Sequence, residues 1–206
     1  MRVPPLEIHE ITDINDDLLL PWLDLYERAF PPSEKYLVST FLAALREAGH
    51  PDPRGLHLLA AVNPSGHLTG MAAHQRLPQL GAALLWYMAI AEPERGKGCG
   101  TWLYQEILAW LEPPCSAVFL EVEDPEQAET PEARRFAERR IGFYRRLGAR
   151  RLLGIKYLQY VGDHVSPIPM LLMVHPLKTL DPEQAFNMAR AIFGEHITQE
   201  STLLLE

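Results

Sequence analysis

The chain has 206 residues, of which 47% are hydrophobic, and this predicts one ordinary globular domain with a substantial core. A formal net charge of −8 disfavours nucleic acids and anionic membranes as partners. The two cysteines predict no disulfide framework, and the scattered histidines form no metal-ligand pattern. The N-terminal residues lack the apolar segment of a secretory signal, and no apolar run is long enough to span a membrane, so we expect a cytoplasmic protein.

Hydrophobic periodicity and turn residues predict alternating strands and helices along the chain. Pro31 and Pro32 end the first helix, and Ser33 is the expected cap of the second. Gly49 and Pro51 are the expected terminators of that second helix. In chain order, the predicted elements are a strand at 6–11, helices at 17–30 and 33–47, strands at 56–62, 68–77 and 84–90, a helix at 101–112, a strand at 116–122, a helix at 133–147, strands at 152–161 and 170–174, and a helix at 181–193.

A glycine-rich loop lies between the apolar strand at 84–90 and the helix that follows it. Its sequence is Arg95-Gly96-Lys97-Gly98-Cys99-Gly100-Thr101. Backbone N–H groups of such a loop can converge on one anion, with the positive end of the helix dipole behind them. Glycines allow the backbone to approach a pyrophosphate closely, and Arg95 and Lys97 add positive charge. The loop therefore predicts a site for a phosphorylated cofactor.

The spacing of the loop excludes two common phosphate motifs. A P-loop requires Ser or Thr after Gly-Lys, whereas Gly98 follows Lys97 here. The dinucleotide fingerprint is G-x-G-x-x-G, whereas Gly96, Gly98 and Gly100 give G-x-G-x-G. The pattern R-x-x-G-x-G, which begins at Arg95, remains. It resembles the acetyl-coenzyme A (acetyl-CoA) loop of the GNAT superfamily of N-acetyltransferases.

A second segment strengthens this resemblance. Residues 141–149, Ile-Gly-Phe-Tyr-Arg-Arg-Leu-Gly-Ala, are similar to the superfamily's helix that ends in F-Y-x-x-L-G before a strand. Phe136, Ile141, Tyr144 and Leu147 are spaced to share one helical face, and Gly148 is a helix stop signal. The two signatures occur in the expected order, about fifty residues apart.

The resemblance implies an α/β fold, the acyl-CoA N-acyltransferase (GNAT) fold, with a central mixed sheet of six to seven strands flanked by helices. It covers a core at about 56–174. N-terminal helices at 13–49 and a C-terminal helix at 181–193 are placed by pattern alone, and the whole of 1–206 is expected to be a single domain.

The implied activity is transfer of an acetyl group from acetyl-CoA to a primary amine, by direct attack and without a covalent enzyme intermediate. The acceptor, a small molecule or a peptide, is not identified by the sequence. The implied cofactor contacts are backbone groups that hold the pantetheine and N–H groups that hold the pyrophosphate. These groups belong to Met88, Ala89 and Ile90, and to Arg95, Gly96, Lys97, Gly98, Cys99, Gly100 and Thr101.

The same resemblance implies that Tyr144 lies near the cofactor sulfur and acts as general acid on the leaving thiolate. Many relatives carry a glutamate base on the strand before the loop, but residues 84–90 contain no carboxylate. Glu121 and Glu123 end the next strand and share one face, so either is a candidate base through a water molecule. The alternative interpretation is that both are solvated charges paired with nearby arginines.

Weaker candidates concern the predicted substrate cleft. The resemblance places Glu34 and Tyr36 there, although a surface cap and a core aromatic are the favoured interpretations of the two residues. Tyr87 is a lesser candidate, since we expect it to pack in the sheet. Ala137 stands where relatives often carry an asparagine that contacts the cofactor, so that contact is expected to be absent or replaced.

Other polar residues have mainly structural interpretations. His74 and His164 are candidates to line the cleft, but we favour structural roles for both. Cys99 is not expected to act as a nucleophile, because no partnered base is visible. One arginine of the helix at 133–147 is a candidate for the 3′-phosphate of coenzyme A, but surface ion pairs are favoured. The expected pairs join Arg134, Arg135, Arg139, Arg140, Arg145 and Arg146 to Glu126, Glu129, Glu132 and Glu138.

Two other functional classes stay open at this point. A catalytically inactive acyl-CoA-binding sensor or interaction domain would explain the missing strand carboxylate and Ala137. A nucleic-acid-directed acetyltransferase is disfavoured by the net charge. The sequence also leaves open whether the protein is a monomer or a homodimer.

Overall fold

The computed structural model describes residues 5–47, 55–162 and 165–206. Gly49, Pro51 and His164, to which the sequence assigns roles, lie outside these described residues. Within them, no helix is both long enough and apolar enough to cross a membrane.

The described residues form eight strands and five α-helices. The elements are β1 (Glu7–Ile11), α1 (Leu19–Ala29), α2 (Val38–Glu47), β2 (Leu56–Val62), β3 (Leu68–Leu77), β4 (Ala82–Ile90), α3 (Cys99–Leu111), β5 (Ala117–Glu123), α4 (Pro131–Arg146), β6 (Arg150–Gln159), β7 (Ile168–Pro176), α5 (Pro182–Phe193) and β8 (Ile197–Leu205). The strands form a mixed sheet in the order β1-β2-β3-β4-β5-β7-β6-β8. The sheet therefore has eight strands among the described residues, not the six to seven that the sequence predicts.

The missed strand is β8, which follows the last predicted helix. Six of its nine residues, Thr198 to Thr202 and Leu204, are exposed, and only Ile197 is buried. β8 pairs with β6 at the end of the strand order, so its sequence has little of the apolar alternation that marks a half-buried strand.

The second helix begins later than predicted. Ser33 lies in a short 3-10 turn, Pro32–Glu34, and α2 begins only at Val38. The reason is a pair of tertiary hydrogen bonds at Tyr36. The Tyr36 N–H donates to the Tyr87 hydroxyl at 3.1 Å, and the Tyr26 hydroxyl donates to the Tyr36 carbonyl at 2.9 Å. Both backbone groups of Tyr36 are thus satisfied outside a helix.

The chain divides into two compact units. The first comprises Met1–Leu77 with Leu85–Glu112, and the second comprises Pro78–Leu84 with Pro113–Glu206. The interpretation of 1–206 as a single domain stays a prediction.

In the first unit, α1 and α2 pack against the antiparallel strands β1, β2 and β3 through an aromatic core. Trp22 is fully buried and donates its indole N–H to the Leu59 carbonyl at 3.0 Å. Phe41 packs edge-on against Trp22 with ring centroids 5.3 Å apart, and Tyr26 packs edge-on against Tyr87 at 4.8 Å. The core therefore extends from the helices to β4, the strand before the glycine loop.

In the second unit, β7 pairs antiparallel with β5 on one side and with β6 on the other. The Thr130 hydroxyl accepts a hydrogen bond from the Ala133 N–H and caps α4. Asp181 and Gln184 form a capping box at the start of α5, where the sequence predicts a helix start. These caps fix where α4 and α5 begin.

Gly154 interrupts the pairing of β6 with β8. It has a φ of +83°, and a Cβ atom at this position would lie 2.3 Å from the Thr202 carbonyl oxygen.

We expect Gly154→Ala to lower the free energy of unfolding by about 3 kcal/mol, because it combines backbone strain with a clash against backbone. Gly66→Ala, at a φ of +77° in open space, is the control and should cost about 1 kcal/mol. Equal losses in denaturant melts of the two variants would contradict the clash.

Candidate functional site

The glycine loop joins β4 to α3. After a 3-10 turn at Glu92–Glu94, Gly96 and Gly98 adopt left-handed φ values of +76° and +89°. Gly98 is the N-cap of α3, and no side chain caps this helix among the described residues. The space where a Cβ of Gly96 would stand is open to 4 Å. The loop therefore presents a helix N-terminus with uncapped N–H groups and no side chain in the way, an arrangement suited to a pyrophosphate.

The loop's charged residues lie around this helix N-terminus. Lys97 is half-exposed, with its Nζ 3.2 Å from an Oε of Glu94. Arg95 donates from Nε to the Ile90 carbonyl at 3.1 Å, which ties the loop to the end of β4. Cys99 is buried, and burial raises the pKa of its thiol, with Glu94 acting in the same direction. A protonated, buried thiol is a poor nucleophile.

The C-terminal end of β4 is the less buried end of the strand. Residues from Ala82 to Leu85 are buried, whereas Met88, Ala89 and Ile90 are half-buried. β4 is therefore more accessible at the end that leads into the glycine loop.

Tyr87 holds the segment between α1 and α2 in place. It is buried in the core, and its hydroxyl donates to the Glu34 carbonyl at 2.8 Å while accepting from Tyr36. The packing in the sheet that the sequence favours is therefore what the structure has. This hydroxyl thus holds the backbone of Glu34 and of Tyr36.

Tyr36 and Trp86 form a half-buried aromatic wall beside this segment. Their rings stack with centroids 4.7 Å apart and planes 23° from parallel. Glu34 is also half-buried, but its backbone carbonyl, rather than its carboxylate, makes the contact with Tyr87. Trp86 was not singled out from the sequence, since an aromatic residue in an apolar strand gives no distinguishing signal.

In the second unit, Glu121 lies in a polar cluster on β5. The hydroxyl of Tyr157, from β6, donates to Glu121 Oε1, and the side chain of Gln159 also hydrogen-bonds to this carboxylate. Burial raises the pKa of Glu121, while the hydrogen bonds from Tyr157 and Gln159 act in the opposite direction. A carboxylate of raised pKa is a stronger base than an ordinary surface glutamate.

Glu123 has a different environment from Glu121. Its Oε1 lies 2.8 Å from Nη1 of Arg140 on α4, and the side chains of both are mostly buried. Its buried Oε2 has no hydrogen-bond partner among the described residues. Glu121 and Glu123 are both half-buried while Val122 between them is buried, as the predicted alternation requires. Glu123 is thus held in an ion pair with α4.

Tyr144 lies one turn after Arg140 on α4 and is 7% exposed. Burial raises the pKa of its hydroxyl, Arg140 lowers it, and Glu123 raises it again. The hydroxyl therefore keeps its proton at neutral pH. Ala137, at the position of the expected asparagine, is buried on the same helix and offers no polar group.

The predicted ion pairs of the α4 arginines are wrong. Among the described residues, none of the six arginines pairs with the four glutamates expected from the sequence, and Arg140 pairs with Glu123 instead. Arg139 and Arg140 lie 5.9 and 5.0 Å from the ring centroid of Phe136, which is 44% exposed. Cation–π contact with an exposed ring thus replaces part of the expected pairing.

His74 is fully buried in the first unit and stacks on His57 with ring centroids 4.8 Å apart. Burial lowers its pKa to about 3, so it is neutral at ordinary pH. The structural role favoured from the sequence agrees with this environment.

Comparisons with known proteins decide the family. Residues 19–148, well over half of the chain, match the model of the acetyltransferase (GNAT) family. The chain belongs to the GNAT acetyltransferase family. It is therefore an acetyl-CoA-dependent N-acetyltransferase. No curated protein sequence matches it.

Several solved structures share the fold of this GNAT acetyltransferase. A protein from Bacteroides thetaiotaomicron, described as a GNAT-family acetyltransferase, is 22% identical with a TM-score of 0.70, covering 91% of this chain and 98% of that one. The ribosomal-protein-S18-alanine N-acetyltransferase of Escherichia coli is 18% identical with a TM-score of 0.56, covering 85% and 96%. NAA60 of Arabidopsis thaliana, solved in complex with acetyl-CoA, is 17% identical with a TM-score of 0.57, covering 84% and 99%. At these identities the similarity extends to the fold alone.

Gly98 offers a direct test of the loop. We expect Gly98→Asp to weaken acetyl-CoA binding at least about 100-fold, because an N-cap aspartate accepts hydrogen bonds from the first helical N–H groups and repels a pyrophosphate. Isothermal titration with acetyl-CoA measures the effect. Gly66→Asp, also at a positive φ but in the turn before β3, is the control and should bind normally. Unchanged affinity in Gly98→Asp would remove the loop from the cofactor site.

Proposed function

We propose that this GNAT enzyme acetylates a primary amine of a small molecule or peptide by direct attack, with Glu121 as general base and Tyr144 as general acid. The observation that carries the proposal is the chemical pairing of a carboxyl and a phenol in buried surroundings. Glu121 is a carboxylate whose pKa is raised by burial and which hydrogen-bonds to Tyr157 and Gln159, and Tyr144 is a buried phenol that keeps its proton. Acyl transfer to an amine requires a group that accepts a proton and a group that donates one.

Acetyl-CoA supplies the acetyl group as a thioester. In this proposal the backbone N–H groups of residues 95–101 hold its pyrophosphate, supported by the uncapped start of α3 and the open space beside Gly96. Met88, Ala89 and Ile90 hold the pantetheine, supported by their partial exposure at the end of β4.

The proton of the attacking ammonium goes to Glu121, directly or through one water, which leaves a neutral amine with a free lone pair. The amine nitrogen then bonds to the acetyl carbon as the carbon–sulfur bond breaks, and Tyr144 gives its proton to the departing sulfur. The amide nitrogen loses its second proton to the Tyr144 oxygen, which restores the hydroxyl. Glu121 is preferred to Glu123 because Glu123 is engaged by Arg140, and its contact ties β5 to α4.

We also propose where the acceptor lies and where the protein works. Tyr36, Trp86 and Glu34 form the acceptor wall, supported by the stacked rings and by the hydrogen bonds that hold this segment rigid. A cytoplasmic location is supported by Cys99, which is a buried free thiol.

Exchange of each glutamate tests the base. We expect Glu121→Gln to lower kcat about 100-fold or more for every amine that the wild type acetylates, with unchanged affinity for acetyl-CoA. Thiol release against a panel of small amines and peptide N-termini measures this effect. Glu123→Gln should lose much less activity, because glutamine still accepts a hydrogen bond from Arg140. Wild-type activity in Glu121→Gln would contradict the assignment, and no thiol release by the wild type with any amine would favour an acyl-CoA sensor.

Tyr144→Phe tests the acid. We expect kcat to fall about 100-fold while the Kd for acetyl-CoA changes less than about threefold, because the ring packing is kept and only the proton donor is lost. Stopped assays for kcat and isothermal titration for Kd separate the two effects. Phe143→Leu, which changes the neighbouring aromatic residue on α4, serves as a packing control. A large loss of acetyl-CoA affinity at unchanged kcat in Tyr144→Phe would contradict the assignment.

A further inference from the structure

The last part of the chain, which follows the segment matched by the family model, contributes the side chain that contacts Glu121. Tyr157 lies on β6, is 4% exposed, and donates its hydroxyl proton to Glu121 Oε1. We propose that Tyr157 is a positioning residue that holds the Glu121 carboxylate for proton transfer, and that the α5–β8 segment takes part in catalysis by packing on Tyr157. This proposal rests on the assignment of Glu121 as the base.

The strand order explains why a tyrosine is needed at this position. β5 and β6 are not neighbours, since β7 lies between them. Two strand spacings separate Glu121 from Tyr157, roughly 10 Å. A phenol is long and rigid enough to reach across the intervening strand β7. Phenylalanine would have the length without the donor, and serine or threonine would have a donor without the length.

The ring of Tyr157 is held by residues that lie beyond the family core. Phe193, the last residue of α5, packs against it with ring centroids 4.7 Å apart. Ile197 of β8 is its backbone partner across the strand pair and is 2% exposed. The direction in which the Tyr157 hydroxyl points is therefore set by α5 and β8.

The hydrogen bond also adjusts the charge state of Glu121. Burial raises the pKa of this carboxyl, and the donors Tyr157 and Gln159 lower it again because they stabilise the ionised form. Among the described residues, Glu123 lies on the same face of β5 as Glu121 and pairs with Arg140 of α4, whose charge also acts on Tyr144. Leu172, the β7 partner of Glu121, carries no charge. Removing the Tyr157 hydroxyl must therefore raise the pKa of Glu121 further. A larger fraction of the base would then be protonated at neutral pH.

Tyr157→Phe keeps the ring on Phe193 and removes the hydroxyl alone. We expect the acid limb of the pH profile of kcat/KM to move to higher pH by about one unit, so that activity on that limb falls about tenfold and recovers at higher pH. The affinity for acetyl-CoA should not change. Tyr160→Phe, at an exposed tyrosine stacked on His196, is the matched control and should leave the acid limb in place.

A second variant separates positioning from folding. Phe193→Leu keeps an apolar side chain but loosens the Tyr157 ring, and we expect a smaller shift of the acid limb in the same direction. An unshifted acid limb in Tyr157→Phe, whatever its thermal stability, overturns the proposal. If Glu121→Gln is inactive while Tyr157→Phe has the wild-type profile, only this inference fails. If Glu121→Gln keeps the wild-type activity and profile, the base assignment itself fails.

Discussion

A carboxylate that leaves bulk water needs hydrogen-bond donors. For Glu121, the proposed base, the hydroxyl of Tyr157 is such a donor. Burial alone would drive Glu121 towards its neutral form and so make it useless as a base. Donation from Tyr157 and Gln159 keeps the ionised form accessible while burial keeps its pKa above the usual range. The proposed base depends on this balance, and through Tyr157 it depends on α5 and β8.

In the proposed function the first unit meets a different constraint, which is close approach of an anion to backbone. Gly96 and Gly98 take φ values that side-chain-bearing residues rarely adopt, and α3 begins without a capping side chain. The buried tyrosines Tyr26 and Tyr87 fix the segment before α2 through its backbone groups, which leaves the Tyr36 ring free to stack on Trp86. In the glycine loop and in the segment before α2, backbone hydrogen-bonding groups determine where the side chains lie.

Local pattern was sufficient to predict much of the fold. The hairpin of β2 and β3 has the predicted bounds, because residues 56–77 combine apolar strands with an unambiguous turn. The glycine loop and the F-Y-x-x-L-G segment likewise indicated the family that the comparisons identify. β8 could not be predicted in this way, since an exposed edge strand has little apolar periodicity.

The site was less predictable because its contacts join distant positions. Glu121 and Tyr157 are separated by 36 residues in the sequence. Their contact depends on the strand order, in which β7 lies between β5 and β6. The alternative interpretation, in which Glu123 pairs with a nearby arginine, is confirmed for this residue, but Arg140 was not identified as the partner, since helix spacing favoured pairs within α4 and its flanking loop. Sequence could name Glu121, Glu123 and Tyr144 as candidates, but it could not distinguish their environments.

The most direct measurement is the titration of the Glu121 carboxyl carbon by NMR in the intact protein, compared with the pH profile of kcat/KM. The account predicts a pKa above the usual range of glutamate that coincides with the acid limb of the profile. A Glu121 carboxyl that titrates at or below the usual value, or at a pH distinct from the acid limb, would contradict it.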